Sequence, residues 1–360
     1  MKKCEVINVS TRKKTFIKNL ITYGVVILAF VICEALISQK QMSRSLRGQL
    51  VPICCYIVMA VSLNLTVGIS GELSLGHAGF MSIGAFSGVI FACWLKATQT
   101  GMSDSVRLLL SIIVGGILAG MVGTLIGIPV LRLRGDYLAI VTLAFSEIIR
   151  NVLNLVFFSL DGSTLYASFN NPRLPGKFVF NGPAGTQSIT KIATFEAGFL
   201  LVLFTLFVVL NLINSQSGRA IMAARDNRIA AESTGISVTR YKMMAFVTSA
   251  ILAGMAGALF GLNYSTLQAS KFNVDASIQV LVFVVLGGLG NILGSVISAT
   301  VLYILPEMLR EFSQYRMLIY AVILILVMVL GNNPRLKGWA GAVTENINRI
   351  VRRKGKVRNE

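Results

Sequence analysis

The chain has 360 residues, 54% hydrophobic and 13% charged, whereas a soluble domain carries about a quarter charged residues; its mean hydropathy is +0.73. With 33 Lys and Arg against 15 acidic residues the formal net charge is +18, but the cations gather in both tails and between apolar runs, which fits membrane topology and anionic lipid and argues against nucleic acid. An ordinary soluble globular domain is therefore excluded in favour of a polytopic all-α membrane protein.

In chain order, residues 1–18 form a basic tail with Lys2, Lys3, Arg12, Lys13, Lys14 and Lys18. The apolar run 20–37 is long for a signal peptide, Glu34 interrupts its end, and no small-x-small cleavage site follows, so a retained first span with the N-terminus inside is expected. Further apolar runs lie at 49–69, 75–95, 108–131, 137–159, 197–213, 243–264, 277–305 and 315–330. The run 277–305 exceeds one span and contains GGLGN, Gly287 to Asn291. The basic tail 336–360 and the basic segment Gly218–Lys242 both belong inside, and an even number of crossings must separate them. The long run should therefore bend at GGLGN, giving about ten transmembrane or re-entrant helices in a membrane domain 19–335 with both termini cytoplasmic. Lys40, Arg44 and Arg47 oppose this scheme, since they fall in a loop that it puts outside.

The third run opens as GISGELSLGHAGFMSIGAF, Gly68 to Phe86. Ser74, His77, Met81, Gly84 and Gly88 fall on one helical face, and the glycines around Gly68 to Gly79 weaken the regular helix; a broken helix is tolerated in a membrane only against protein or a watery cavity. Ser74, His77, Met81 and Gly84, with Thr142, Glu147 and Asn151 of the fifth run, are the candidates for the wall of a polar path. A lone His77 satisfying a backbone carbonyl, and Glu147 paired with Arg150 as a structural ion pair, fit the same residues. Gly116, Gly120, Gly123 and Gly127 recur on one helical face, and Gly254, Gly257 and Gly261 form a shorter set; both suit close helix packing.

Residues 160–196, with Pro172, Pro175, Pro183 and NGPAG, are too polar for lipid and read either as an outer cover or as a surface loop. The segment 214–242 is expected on the inner side. Within it, Ala220 to Ala224 suit a short helix, Asp226 an N-cap, Ile229 to Glu232 a second helix, and Gly235 a left-handed stop. A folded basic helix pair between spans offers a surface for a partner to push on; a solvated connector fits the same residues. Cys4, Cys33, Cys54, Cys55 and Cys93 show no disulfide or metal-ligand spacing, and His77 is the sole histidine. No phosphate-binding G-x-x-x-x-G-K-[ST], H-E-x-x-H or G-x-S-x-G motif occurs. A conduit is what remains, powered by an ion gradient or by a partner.

Four stretches then carry a resemblance: GELSLGHAGFMSIGAF, RGDYLAIVTLAFSEIIR (Arg134 to Arg150), GRAIMAARDNRIAAESTGISVTRYKMMAF and GGLGN, in that order. Over roughly residues 50–335 the chain resembles LivM-type permease subunits of branched-chain amino acid ABC transporters. The resemblance implies a second homologous permease, two ABC ATPase subunits that hold ATP and Mg, an extracytoplasmic substrate-binding protein, and no cofactor or metal on this chain. It also implies that Arg225, Asp226, Asn227, Ala230, Ala231, Glu232 and Gly235 couple to the ATPase. Ala230, Ala231 and Gly235 match the A-A-x-x-x-G part of the importer coupling pattern; Ile229 stands where that pattern has Glu, and Glu72 where the family has Gln. Leucine, isoleucine and valine are the implied cargo, with other amino acids, urea or short amides as alternatives. A secondary transporter without partners is the rival outside this family.

Overall fold

The computed structural model describes residues 2–39, 44–99, 101–133, 135–162, 164–169, 174–186, 189–309 and 315–332. The tail 336–360, Arg335, Lys40, Arg134 and Pro172 of the sequence argument lie outside these residues.

The helices are α1 (Lys2–Ser38), α2 (Arg44–Asn64), α3 (His77–Thr98), α4 (Asp104–Val130), α5 (Asp136–Leu155), α6 (Phe195–Asn214), α7 (Gln216–Asp226), α8 (Arg228–Ser233), α9 (Val238–Gly261), α10 (Val274–Gly287), α11 (Ile292–Met308) and α12 (Arg316–Asn332). Among the described residues eight helices are long and apolar enough to cross a bilayer. With the shorter α11 and α12 they reach the expected ten. The expected bend falls where it was placed: α10 ends at Gly287, and Gly288 and Gly290 take φ of +93° and +79°, a conformation open to glycine, before α11 begins. The chain divides into two compact units, Met1–Tyr303 and Ile304–Glu360. In the second, the described residues form the end of α11 and the apolar helix α12.

In the first unit α3, α4 and α9 pack against one another, and α2 also packs on α9. Small residues decide this arrangement. A Cβ on Gly116, Gly120, Gly123 or Gly127 would stand 2.5–2.8 Å from Met255, Ile251, Ala250 or Met243 of α9, so the four glycines form the seat of that helix. The expected second stripe splits instead. Gly254 faces Gly115 and Ala119 of α4, whereas Gly257 and Gly261 face Met81, Ala85 and Val89 of α3. A helix held on two sides needs small residues on both. The opposite face of α4 exposes Leu109, Ile113, Ile117, Met121, Leu125 and Ile128, a helical stripe that only lipid or another apolar surface would cover.

Strands β1 (Val156–Asp161), β2 (Thr164–Phe169) and β3 (Lys177–Asn181) form an antiparallel sheet in the order β2-β1-β3. The sheet corrects the sequence reading at two points. The apolar run 137–159 holds one span but overruns it, because α5 stops at Leu155 and Val156–Phe158 pair as strand. The segment 160–196 is also not plain loop. Aromatic and β-branched residues favour the pleated form once a partner strand is present, and that partner arrives from later in the chain. The sheet is anchored by Phe180, fully buried and 4.7 Å from the Phe86 ring, and by Thr186, whose N–H donates to the Leu267 carbonyl at 2.8 Å.

Candidate coupling and translocation site

The segment 214–242 folds as two short helices on the face opposite the sheet. The Ser215 hydroxyl caps α7 by accepting from the Gly218 N–H at 3.1 Å. The cap of α8 is Asn227, whose Oδ1 accepts from the Ala230 N–H at 3.0 Å. The expected cap, Asp226, is the last residue of α7, and its carboxylate takes the Arg225 guanidinium at 2.9–3.0 Å instead. The longer α7 moves the helix boundary by one residue and hands the capping role to the next side chain. Gly235 takes φ +83°, and the Ile236 N–H reaches back to the Ala231 carbonyl at 3.1 Å, the closing bond of a glycine-ended helix. Ala231 is buried with Ala224 and Val238, and Ile236 packs against them. Ile229 is 80% exposed beside the exposed Arg228–Glu232 ion pair at 2.9 Å.

This pair is fastened to the break between α2 and α3. A π turn, Leu65–Ile69, ends α2, residues 71–76 run without helix, and α3 begins at His77. Arg225 Nη1 donates to the Gly68 carbonyl at 2.9 Å. Lys242 forms an ion pair with Glu72, both side chains 12% exposed. Gly71, at φ +74°, lies directly under the Arg225 stem. The helix pair, residues 71–73 and the α4–α5 connection at Leu133, Gly135 and Asp136 enclose an open cleft of about 630 Å³.

The break is also tied sideways. The Thr142 hydroxyl accepts from the Leu75 N–H at 3.0 Å and donates to the Ala139 carbonyl at 2.9 Å. Asn64 holds the GGLGN bend: its Oδ1 accepts from the Gly290 N–H at 2.8 Å and its Nδ2 donates to Ser295 Oγ at 2.7 Å. Sequence reasoning passed over Asn64, although an amide inside the apolar run SLNLTVGIS was a visible signal. A Cβ on Gly68 would collide with both Asn64 and Gly290, so the π turn and the bend are pressed together.

The candidate path residues divide. His77 is buried, with Nε2 at 2.9 Å from Ser62 Oγ and 3.4 Å from Ser249 Oγ. Those hydroxyls spend their protons on the Met59 and Ser62 carbonyls, so His77 is the donor; its partners are hydroxyls and not the expected backbone carbonyl. Ser74 lies in the non-helical stretch and shares no helical face with His77, a second correction, since α3 begins only at His77. Its buried hydroxyl has no partner among the described residues. Gly84 faces the Gly254 carbonyl in a helix contact. Met81 lines a partly open cavity of about 230 Å³. Glu147 and Arg150 pair at 2.6 Å, both about a quarter exposed, and Asn151 is exposed on α5, so these three do not meet His77 or Met81 inside this chain.

An apolar helical bundle whose α2–α3 connection is tied to a folded helix pair defines a multi-pass helical membrane protein. Residues 46–330 match the family model described as the permease component of branched-chain amino acid transport systems, and the chain belongs to that family. It is 36% identical over 288 residues to the high-affinity branched-chain amino acid transport permease LivM of Salmonella typhimurium, and 35% identical to LivM of Escherichia coli. Each alignment covers 76% of this chain and 66% of the relative. A more distant relative, the fructose import permease FruG of Bifidobacterium longum, is 21% identical, with 76% of this chain and 78% of the relative covered. No solved structure matches. Permease relatives and the apolar helices together make this a multi-pass inner-membrane protein.

Proposed function

We propose that this chain is one permease subunit of an ATP-driven importer of branched aliphatic amino acids. A second, homologous permease would complete the conduit, two ATPase subunits would bind and hydrolyse ATP with Mg, and an extracytoplasmic binding protein would deliver cargo to the sheet face. Both termini and the segment 214–242 then lie in the cytoplasm, and the domain 19–335 sits between basic tails 1–18 and 336–360.

One observation carries this reading. The exposed α7–α8 pair is fastened through Arg225 to the Gly68 carbonyl at the break between α2 and α3, and Lys242 at the start of α9 pairs with Glu72 beside it, so a push on the pair reaches the facing ends of α2 and α3. The π turn and the GGLGN bend are short, glycine-rich and in contact. They are elements that can move as a hinge when ATP binding draws the ATPases together. Arg225, Asp226, Asn227, Ala230, Ala231, Glu232 and Gly235 build and hold the pair, and Ile229 supplies its exposed apolar tip.

The test is uptake of tritiated leucine by proteoliposomes holding both permeases, the ATPase and the binding protein. Uptake should require internal ATP. Ala231→Asp, which puts a charge in the small buried cluster, should abolish uptake while the binding protein still holds leucine. Uptake by this chain alone under an ion gradient would overturn the reading.

A further inference from the structure

The partly open cavity of about 230 Å³ lies between α2, α3, the end of α9 with Tyr264, α10 and the short turn Ala269–Phe272. Its walls combine the large apolar side chains of Met59, Met81, Phe260, Phe272 and Val280 with the polar ones of Tyr56, Tyr264 and Lys271. Ala78 and Ala276 also line it, and their small side chains leave the space open. The volume equals about eight waters at ~30 Å³ each, which suits a solute of about that many heavy atoms. At its rim toward the sheet face is the exposed Lys271, with Nζ 4.6 Å above the Tyr264 ring. Among the described residues no carboxylate forms an ion pair with Lys271.

We propose that this cavity is a cargo subsite that takes a short branched aliphatic carboxylate: the hydrocarbon between Met81, Phe272 and Val280, and the carboxylate at Lys271. The assignment rests on the import reading above and adds to it a place within one permease chain where the cargo side chain is received. Chemistry favours this ligand over a sugar. Met59, Met81, Phe272 and Val280 favour buried hydrocarbon, and the polar groups of Tyr56, Tyr264 and Lys271 are too few to satisfy all the hydroxyls of a sugar. Lys271, which forms no ion pair with a carboxylate among the described residues, can take the carboxylate end of a zwitterionic amino acid. The position also fits delivery, because the rim lies on the sheet face and the floor is the first turn of α3, directly after the break to which the helix pair is strapped. Ala78 belongs to both, since its side chain lines the cavity and its N–H donates to Ser277 Oγ on α10 at 3.2 Å.

The experiment measures equilibrium binding of tritiated leucine to the purified complex of both permeases and ATPase without the binding protein, together with proteoliposome uptake by the full importer. Lys271→Gln, at an exposed position, should weaken leucine binding by about 10-fold while leaving competition by leucinamide, which lacks the carboxylate, unchanged. Ala276→Leu fills the cavity and should weaken leucine by about 10-fold or more. Met81→Ala enlarges it and should shift competition toward phenylalanine, a change of preference that mere loss of folding would not give. Wild-type uptake of leucine, with binding and preference unmoved in all three variants, overturns the subsite and leaves the import reading standing. Absence of amino-acid uptake by the wild-type importer overturns the import reading itself, and the subsite with it.

Discussion

Replacing Gly257 by alanine tests whether α3 and α9 are locked backbone to backbone. A Cβ there would press on the carbonyl of Met81, well inside contact distance, and stand 3.0 Å from the Ala85 nitrogen. Both obstacles are main chain in a neighbouring helix, so no rotamer change relieves them and the helices must separate. Overpacking of this kind costs about 1–3 kcal/mol and occasionally more, and a forced helix shift belongs at the upper end. The gain in helix propensity from Gly to Ala, about 1 kcal/mol, offsets only part of it. A net loss of roughly 2 kcal/mol corresponds to a drop of about 4–8 °C in apparent Tm, taking ~2–4 °C per kcal/mol as for a mid-sized domain. Gly120→Ala meets only the side chain of Ile251, at 2.5 Å, which can turn, and should shift Tm by no more than about half as much. Gly24→Ala meets nothing within 4 Å and should leave Tm unchanged or slightly raised. Heating the detergent-solubilised complex and measuring the surviving fraction by size-exclusion chromatography gives the order. If Gly257→Ala is as stable as Gly24→Ala, the packing argument for α3 and α9 is wrong.

Lys242→Met, which strands Glu72 with 12% exposure, should cost roughly 2–4 kcal/mol and most of the uptake. The double variant Glu72→Gln with Lys242→Gln should recover at least half of the stability loss in the same melting assay; no recovery would mean the pair is not coupled. Asn227→Ala should destabilise α8 by about 1 kcal/mol and lower the ratio of uptake to ATP hydrolysed, whereas Asp226→Ala should have the smaller effect; the reverse order would restore the cap to Asp226. Ile229→Asp, at an exposed position, should leave Tm within about 1 °C of wild type, as surface substitutions do, yet reduce co-purification of the ATPase. Unchanged co-purification would remove Ile229 from the docking surface. Asn64→Leu should loosen the GGLGN bend, costing roughly 1–3 kcal/mol through the unpaired Gly290 N–H, with faster protease cleavage at the bend as the readout.

What the residues alone determined is whatever depends on local composition and period. Runs of about 20 apolar residues set the spans, the glycines from Gly287 to Gly290 set the bend, the four-glycine face of α4 set a helix contact, and Gly235 set the end of α8. Each follows from one segment's own geometry or hydrophobicity. The identity of Asn227 as the cap lay just beyond this reach, because it depends on where α7 stops. Tertiary structure decided everything that needs a distant partner. Val156–Phe158 is apolar enough to continue the span of α5 and becomes strand because Thr164–Phe169 and Lys177–Asn181 return to pair with it. His77 could have faced a path, but Ser62 and Ser249 arrive from α2 and α9 to hold it. The cavity has no signature in sequence, since its lining comes from four helices and a turn spread between Tyr56 and Val280. In a lipid-facing chain hydrophobicity is spent on insertion and is nearly uniform along each span, so it cannot say which helix meets which. That choice belongs to small residues and to single polar groups such as Asn64, Thr142 and Lys242, whose partners are known only once the chain has folded.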